Sequence, residues 1–247
     1  MKSKSSFVLL IALLIISSTS KVSAQAGDKA VRIGLKLPYT YDIGYYQRFS
    51  TRIGMHISSQ IVTFPFSSSL TSIMNMYGAD PAFTNILKES MGFGIGIDHG
   101  WHYYFGTDNR RYYVGLSARW MSLPKQEFDD KIINTVLENG SVDGCNTLDD
   151  CPVNTAHKFG DSQKLTINVN YVNIAITAGM TFVLYGGNEI RLEGEIAKTI
   201  ASRHYLYSEY RYISPVTEYV NTNLQDIMKK YGWFPAVNVY YIYKLKL

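Results

Sequence analysis

The chain has 247 residues, 24 of them basic and 20 acidic, with 46% hydrophobic and 14% aromatic residues and two cysteines. Its formal charge of +4 owes much to Lys2, Lys4 and Lys21, and without them 21 basic residues face 20 acidic ones. That balance excludes the basic footprint of a nucleic-acid-binding protein, and the length fits one domain or one barrel.

Residues 1–24 read as a secretory signal peptide. Lys2 and Lys4 precede an apolar run from Phe7 to Ile16, and small residues lead to Val22-Ser23-Ala24. The apolar run is too short for a membrane anchor. Cleavage after Ala24 is expected, with Ala26 as the alternative, leaving residues 25–247 as the folded unit. From there apolar residues recur at every second position, which is strand periodicity. Val31, Ile33, Leu35 and Leu37 alternate with Arg32, Gly34 and Lys36; Ile53, Met55 and Ile57 alternate with Gly54, His56 and Ser58. Residues 31–47 read either as one strand or as two split near Pro38. A polar stretch, 64–90, follows.

The next strand, 91–105, has glycine at 92, 94, 96 and 100 on one face and Phe93, Ile95, Ile97, Trp101, Tyr103 and Phe105 on the other. The G-x-G-x-G run lacks the spacing of a nucleotide fingerprint, and no helix follows it. Gly106-Thr107-Asp108-Asn109 signals a short turn. Tyr112, Val114, Leu116, Ala118 and Trp120 then alternate with Arg111, Tyr113, Gly115, Ser117 and Arg119. Residues 124–163 form a long polar loop holding Cys145 and Cys151. In an exported chain these are expected to close one small disulfide, since no His or Cys surrounds them to complete a metal site. Leu165 to Asn188 runs 24 residues without a charge. Its β-branched residues, alternating with Asn and Thr, argue a long strand over a membrane helix, and a phase slip at Tyr171-Val172 suggests a β-bulge. Gly186-Gly187-Asn188 is a second short turn. Ile190, Leu192 and Ile196 oppose Arg191, Glu193 and Glu195. Residues 206–233 form a third long connection containing a helix, Asn221 to Tyr231, stopped by Gly232. Val237, Val239, Tyr241, Tyr243, Leu245 and Leu247 end the chain.

Short turns alternating with long loops along an all-β chain predict an antiparallel up-and-down transmembrane β-barrel, with tight periplasmic turns, long outer loops and short helices within those loops. Working back from a periplasmic C-terminus, eight strands require the split near Pro38; ten is the alternative count. The apolar faces then meet lipid. Trp101, Tyr103, Phe105, Tyr112 and Trp120 are the expected interfacial aromatics, and Gly92, Gly94, Gly96 and Gly100 face inward, making room for bulky neighbours. A soluble lipocalin-like carrier would reverse the faces, yet faces built of Gly92, Gly94, Gly96, Gly115 and Ser117 offer little charge to water.

The signal sequence ending Ala24-Gln25, the glycine-rich alternating strands and the terminal Tyr241-x-Tyr243-x-Leu245-x-Leu247 resemble the small outer-membrane β-barrel proteins of Gram-negative bacteria. The likeness spans the mature chain as a pattern, without a diagnostic motif. It implies an outer-membrane location, contact with outer-membrane lipid, and the barrel-assembly machinery as a partner during biogenesis. That family usually ends in an aromatic residue; this chain ends in Leu247. Activity is not implied, since the family spans porins, adhesins, assembly factors and lipid enzymes.

Buried charges must be paired, so Arg111, Arg119, Arg191, Glu193 and Glu195 are expected to form a salt-bridge network filling the lumen. His56 and Ser58 form an H-x-S pair resembling that of outer-membrane lipid A deacylases, but early in the chain, on the polar face and without an obvious acid. Asp98, His99 and His102 divide between two faces, which disfavours a metal site. No catalytic set and no cofactor follow. The expectation is a non-enzymatic barrel with a filled lumen, structural, adhesive or accessory to a larger assembly, with a protein partner expected at the long loops. A lipid-modifying enzyme, a small-solute porin and a lipid carrier are the alternatives. One internal echo stands out: Leu70-x-x-Ile73-Met74-x-x-Tyr77-Gly78-x-x-Pro81-Ala82 matches Leu224-x-x-Ile227-Met228-x-x-Tyr231-Gly232-x-x-Pro235-Ala236. Both copies read as a short amphipathic helix, a glycine stop and the start of a strand. The two helices are expected to cap the outer rim together or to offer Met74 and Met228 to a partner.

Overall fold

Eight antiparallel strands close on themselves in sequence order: β1 (Lys29–Leu37), β2 (Thr40–Arg48), β3 (Ile53–Thr63), β4 (Phe93–Thr107), β5 (Arg110–Asp129), β6 (Lys164–Val183), β7 (Glu189–Tyr207) and β8 (Trp233–Lys244). This is a computed structural model that describes residues 29–63, 66–107, 110–129, 164–207 and 214–245. Residues 1–24, read above as a signal sequence, the expected Cys145–Cys151 disulfide and Leu247 lie outside the described residues. Each strand pairs with the next, and β1 pairs with β8 from Ala30↔Lys244 to Leu37↔Val237, which leaves no open edge around the ring. The split near Pro38 holds: β1 and β2 form a hairpin, 9 residues each, within the roughly 9–11 residues that a tilted strand needs to span a bilayer.

One end of the barrel carries the Thr107–Arg110 end of the β4–β5 pair and tight turns at 49–52 and 184–188. At the last of these Gly186 and Gly187 adopt φ of 81° and 84°, which glycine reaches at little cost. The other end carries the β1–β2 turn and, among the described residues, three helices: α1 (Phe66–Met76), α2 (Pro81–Ser90) and α3 (Ser214–Tyr231). The glycines of β4 serve as floor for larger side chains. A Cβ on Gly94 would lie 2.3 Å from Leu123, one on Gly96 2.1 Å from the Met121 sulfur, and one on Gly100 2.5 Å from the His56 ring. Gly92 departs from the expected inward row. The strand begins at Phe93, after α2 has ended and Met91 has turned in beneath the helices, and Gly92 itself is exposed.

The expected bulge in β6 is also corrected. Ile167, Val169, Tyr171, Asn173, Ala175 and Thr177 all point inward without a slip, and the register shift lies in β7, where Ile200 is the extra residue opposite Val172 and Asn173. What changes at Tyr171-Val172 is the apolar face. Below it the outward side is apolar (Ile174, Ile176); above it the inward side is (Ile167, Val169), because there the strand packs under helices while its back carries Asn168 and Asn170. β5 also runs past Pro124 to Asp129, with its register shifted between Leu123 and Gln126, where a proline fits a strand.

These tall upper halves of β5, β6 and β7 form a wall against which the helices lean. Leu70 and Met74 of α1, Ile86 and Leu87 of α2, and Val220, Leu224 and Met228 of α3 are buried with Leu123, Val169, Tyr171, Leu206 and Phe234 in one apolar plug. Both copies of the echo thus join one cap. Only the second leads into a strand; in the first, Gly78 (φ 90°) stops α1, and Asp80 caps a new helix with Pro81 in its first turn. Helix α3 starts at Ser214, well before the expected Asn221. Asn221 instead accepts a hydrogen bond through Oδ1 from the Leu206 amide at 3.0 Å, covering the edge of β7 that rises beyond β8.

Candidate functional site: the sealed lumen and its cap

Strand parity sends ten charged side chains into the barrel. Arg32, Lys36, Arg48, Arg119 and Arg191 are buried there with Asp42, Asp98, Glu189, Glu193 and Glu195, five of each sign among the described residues. They are arranged in levels. At the tight-turn end, Arg191 donates to Glu189 at 2.8 Å and stacks 3.9 Å over the Tyr46 ring; Tyr46 donates to the Tyr104 hydroxyl at 2.8 Å, and Tyr113 donates to Glu193 at 2.7 Å. Higher up, Arg32 grips Asp42 through Nε and Nη2 at 3.0 and 2.9 Å and lies 4.3 Å from the Tyr240 ring centroid. Such forked pairs and cation–ring stacks hold guanidinium groups away from water. In the middle sits Asp98, fully buried. Lys36 donates to it directly, Gln60 donates at 3.1 Å, and His56, Arg32 and Arg119 stand at 3.5, 3.9 and 3.9 Å. Glu195 takes Arg119 at 2.5 Å and Lys36 at 3.3 Å, and Asn238 donates to both Glu195 and Glu193.

Of the residues singled out in the sequence, Arg119, Arg191, Glu193 and Glu195 lie within this set, and Arg111 lies on the same face, half-buried near the end of β5. Sequence reasoning did not place Arg32, Lys36, Arg48, Asp42, Asp98 and Glu189 in the network. The same parity rule reaches Arg32 and Lys36, which alternate with Ile33 and Leu35. Asp42 was hidden because β2 carries tyrosine on both faces, Tyr41 exposed and Tyr46 buried. The H-x-S pair does meet acids, supplied by the neighbouring strands, but not in a relay: Ser58 donates to Asp42 at 2.8 Å, while His56 faces Asp98 and stacks on His102 at 5.0 Å. His56 and Ser58 are both buried and are not hydrogen-bonded to each other, so the geometry lacks the nucleophile–base bond of covalent catalysis. His102 turns inward with Asp98, and His99 faces out beside Trp101.

Between this charged layer and the apolar plug lies a cavity of about 20 Å³ lined by Tyr39, Arg119, Met121, Asn173 and Phe234, room for about one water. The plug contains one titratable group of note. His204 sits four residues beyond the Ile200 bulge, buried, with neither ring nitrogen hydrogen-bonded to a described residue. Burial pushes its imidazole down to about 4 from an ordinary 6.5. A base with a depressed folded-state pKa contributes its full stability above the unfolded value and loses it as pH falls from about 6.5 toward about 4, here up to about 3 kcal/mol. Protection factors of the α3 amides, which correct exchange for its base-catalysed intrinsic rate, are therefore expected to fall between pH 7 and pH 5, and His204→Leu to flatten that response. An unchanged slope in the variant assigns the acid sensitivity elsewhere.

Around the outside, apolar residues cover every strand: Ile33 and Leu35, Ile43, Ile57 and Ile61, Ile95 and Ile97, Val114 and Leu116, Ile174 and Ile176, Leu192 and Ile196, Val237 and Val239 are all exposed. Ile176 is 67% and Val237 58% open. Aromatic side chains edge this band. Phe105 stacks on Tyr112 at the tight-turn end, and Trp101 on Phe49 beside the β2–β3 turn. Tyr103 is exposed near that end as well. Trp120 and Trp233 stand exposed at the other edge; Trp120 is ten residues along β5 from Arg110. At about 3.3 Å per residue and a tilt of about 40°, that is about 25 Å along the barrel axis.

No family model matches the sequence, and no curated protein does. Two solved structures are similar to it over most of its length. A major outer membrane protein from Thermus thermophilus gives a TM-score of 0.47 at 7% identity, over 90% of this chain and 100% of that one. CarO2 of Acinetobacter baumannii gives 0.38 at 9% identity, over 89% and 98%.

Proposed function

We propose that the protein spans a bacterial outer membrane as a closed, non-conducting barrel and presents its helical cap at the cell surface, in a structural, adhesive or accessory role beside other outer-membrane components. The apolar band that girdles all eight strands carries this reading. Monomeric soluble proteins rarely expose contiguous apolar patches beyond a few hundred Å², and a continuous ring about 25 Å tall with aromatic edges matches the lipid-facing surface of an outer-membrane barrel. Among the described residues no helix is long and apolar enough to cross a membrane; the crossing is made by strands. The capped end faces outward, as long loops do in such barrels.

A lumen filled by paired charges and sealed above by the apolar plug favours a wall or anchor over a pore. Eight strands leave an interior just wide enough for side chains, and the cavity of about 20 Å³ is far too small for a solute path. The test is a pair of measurements on the detergent-folded protein. Unboiled and boiled samples are expected to run as different bands in SDS, and the reconstituted protein is expected to add no conductance steps to a planar bilayer. Coincident bands from a protein that stays soluble without detergent would reverse the two faces and favour a lipid carrier. Reproducible conductance steps would instead establish the small-solute porin.

A further inference from the structure

Where the apolar band ends on β7, basic side chains gather with no ion pair among the described residues, although the exposed Asp226 lies one turn before Lys229 and Lys230 on α3. Lys198 Nζ donates to the carbonyls of Lys229 and Lys230 at 2.6 and 3.2 Å and lies 4.6 Å from the Trp233 ring centroid. The side chains of Lys229 and Lys230 are exposed, with the Lys230 ammonium 5.0 Å from the Tyr231 ring. Arg203 is exposed five residues further up β7. None of these four cations forms an ion pair with a described carboxylate, although inside the barrel the same chain balances five cations with five anions. A helix C-terminus favours nearby cations, but Lys198 already serves those carbonyls, and Arg203 stands away from them on the strand.

The surroundings of this group are ordered. Ile174 and Trp233 flank Lys198 on the two neighbouring strands, and Ile196 lies toward the tight-turn end, all three exposed and apolar. Away from it, Asn168 and Asn170, joined by a 2.9 Å hydrogen bond, face outward opposite Tyr205 and Arg203. Going up this strand pair, the surface runs from apolar Ile196 to Lys198, past the exposed Ile200, to Arg203 level with Asn170, and then to Tyr205 level with Asn168. A phosphorylated glycolipid offers a matching set, acyl chains below a headgroup that carries both sugar and phosphate. Lysine and arginine supply charge-assisted donors to phosphate oxygens, and each basic side chain near a membrane surface adds measurably to the binding of anionic lipid.

We propose that the outer face of β6 and β7 and the foot of α3 form a docking site for a phosphorylated glycolipid of the outer leaflet. Lys229 and Lys230 meet its phosphate, Arg203 and the Asn168–Asn170 pair its sugars, and Trp233 the top of its acyl chains. This rests on the membrane reading above, with the capped end outward.

The test uses the full chain, purified in detergent and titrated with bis-phosphorylated lipid A while bound lipid is read by native mass spectrometry. One lipid A is expected to stay on the wild-type protein, with affinity falling at least about tenfold for the variant Arg203→Gln/Lys229→Gln/Lys230→Gln. That variant keeps Lys198 and therefore the cap on α3. A second arm needs no variant: dephosphorylated lipid A should bind the wild type at least about tenfold more weakly, and millimolar inorganic phosphate should not displace the intact lipid. Equal binding of both lipids, displacement by free phosphate, or no retained lipid A would each overturn the proposal, the last pointing to an acidic protein as the occupant. Insertion into phosphatidylcholine vesicles, scored by the heat-dependent band shift, keeps the two readings apart. A protein that inserts but shows no lipid A preference loses the docking site alone, whereas one that never inserts loses the membrane reading as well.

Discussion

Replacing Asp98 with alanine is expected to cost about 3–5 kcal/mol of folded stability, and adding Lys36→Met to recover most of it. Asp98 is fully buried and is the anion nearest the middle of the lumen, with Lys36 bound to it and His56, Arg32 and Arg119 within 4 Å. Arg32 keeps Asp42 and Arg119 keeps Glu195, so the charge left short of a partner is Lys36, which must then share Glu195 with Arg119. With Asp98 gone the lumen holds five cations against four anions, in a place that water reaches poorly. Removing Lys36 restores the balance, and the apolar methionine stem fills similar space. The urea midpoint of the heat-dependent band shift measures both variants, with His99→Ala on the outward face of the same strand as reference. If Asp98→Ala costs no more than His99→Ala, the lumen is wet enough to screen its charges, and the sealed interior is wrong.

Gly232→Ala is expected to release the cap while leaving the barrel standing. A Cβ at this position would lie 2.0 Å from the Met228 carbonyl oxygen and 2.5 Å from the Thr199 hydroxyl. The first of these is backbone, so no side-chain rotation relieves it. The joint matters because the Gly232 carbonyl accepts from the Thr199 amide at 2.9 Å just where α3 hands over to β8, and because Lys198 next to it caps the helix. Overpacking of this kind costs about 1–3 kcal/mol or more, and here the cost falls on the contact between α3 and the upper edge of β7. Limited proteolysis should therefore cut α3 in the variant at enzyme concentrations that leave the wild type whole, while the unboiled band keeps its mobility. Loss of the folded band altogether would mean that cap and barrel form a single cooperative unit.

The way the lumen is built explains how much of the candidate site could be read in advance. Period-two alternation in β4, β5, β7 and β8 was enough to assign faces, since a one-residue slip would carry every apolar side chain to the wrong side. Arg119, Arg191, Glu193 and Glu195 were legible for that reason. Their partners were not. Lys36 and Glu195 are 159 residues apart in the chain, and Asp98 meets Lys36 across 62, so only the register of the closed sheet brings them together. Tyrosine misled in β2 because it serves two environments: an amphipathic rim outside, and stacking under buried guanidinium groups within.

By itself, the sequence determined that the chain alternates as a sheet, that eight strands follow if Pro38 divides the first pair, with ten as the alternative, and where tight turns give way to long connections. These are local properties, written in neighbouring residues and in the side-chain period of a strand. Tertiary structure alone decided that the apolar face changes sides at Tyr171-Val172 without any slip in β6, because that change records what lies across from the strand, the outward band below and three helices above. It alone placed the extra residue at Ile200 on β7, ran α3 back to Ser214 so that Asn221 could cover a strand edge, and gathered ten charges into a neutral interior. Each of those outcomes depends on neighbours distant in the chain, and pairing, burial and neutrality are properties of the closed ring.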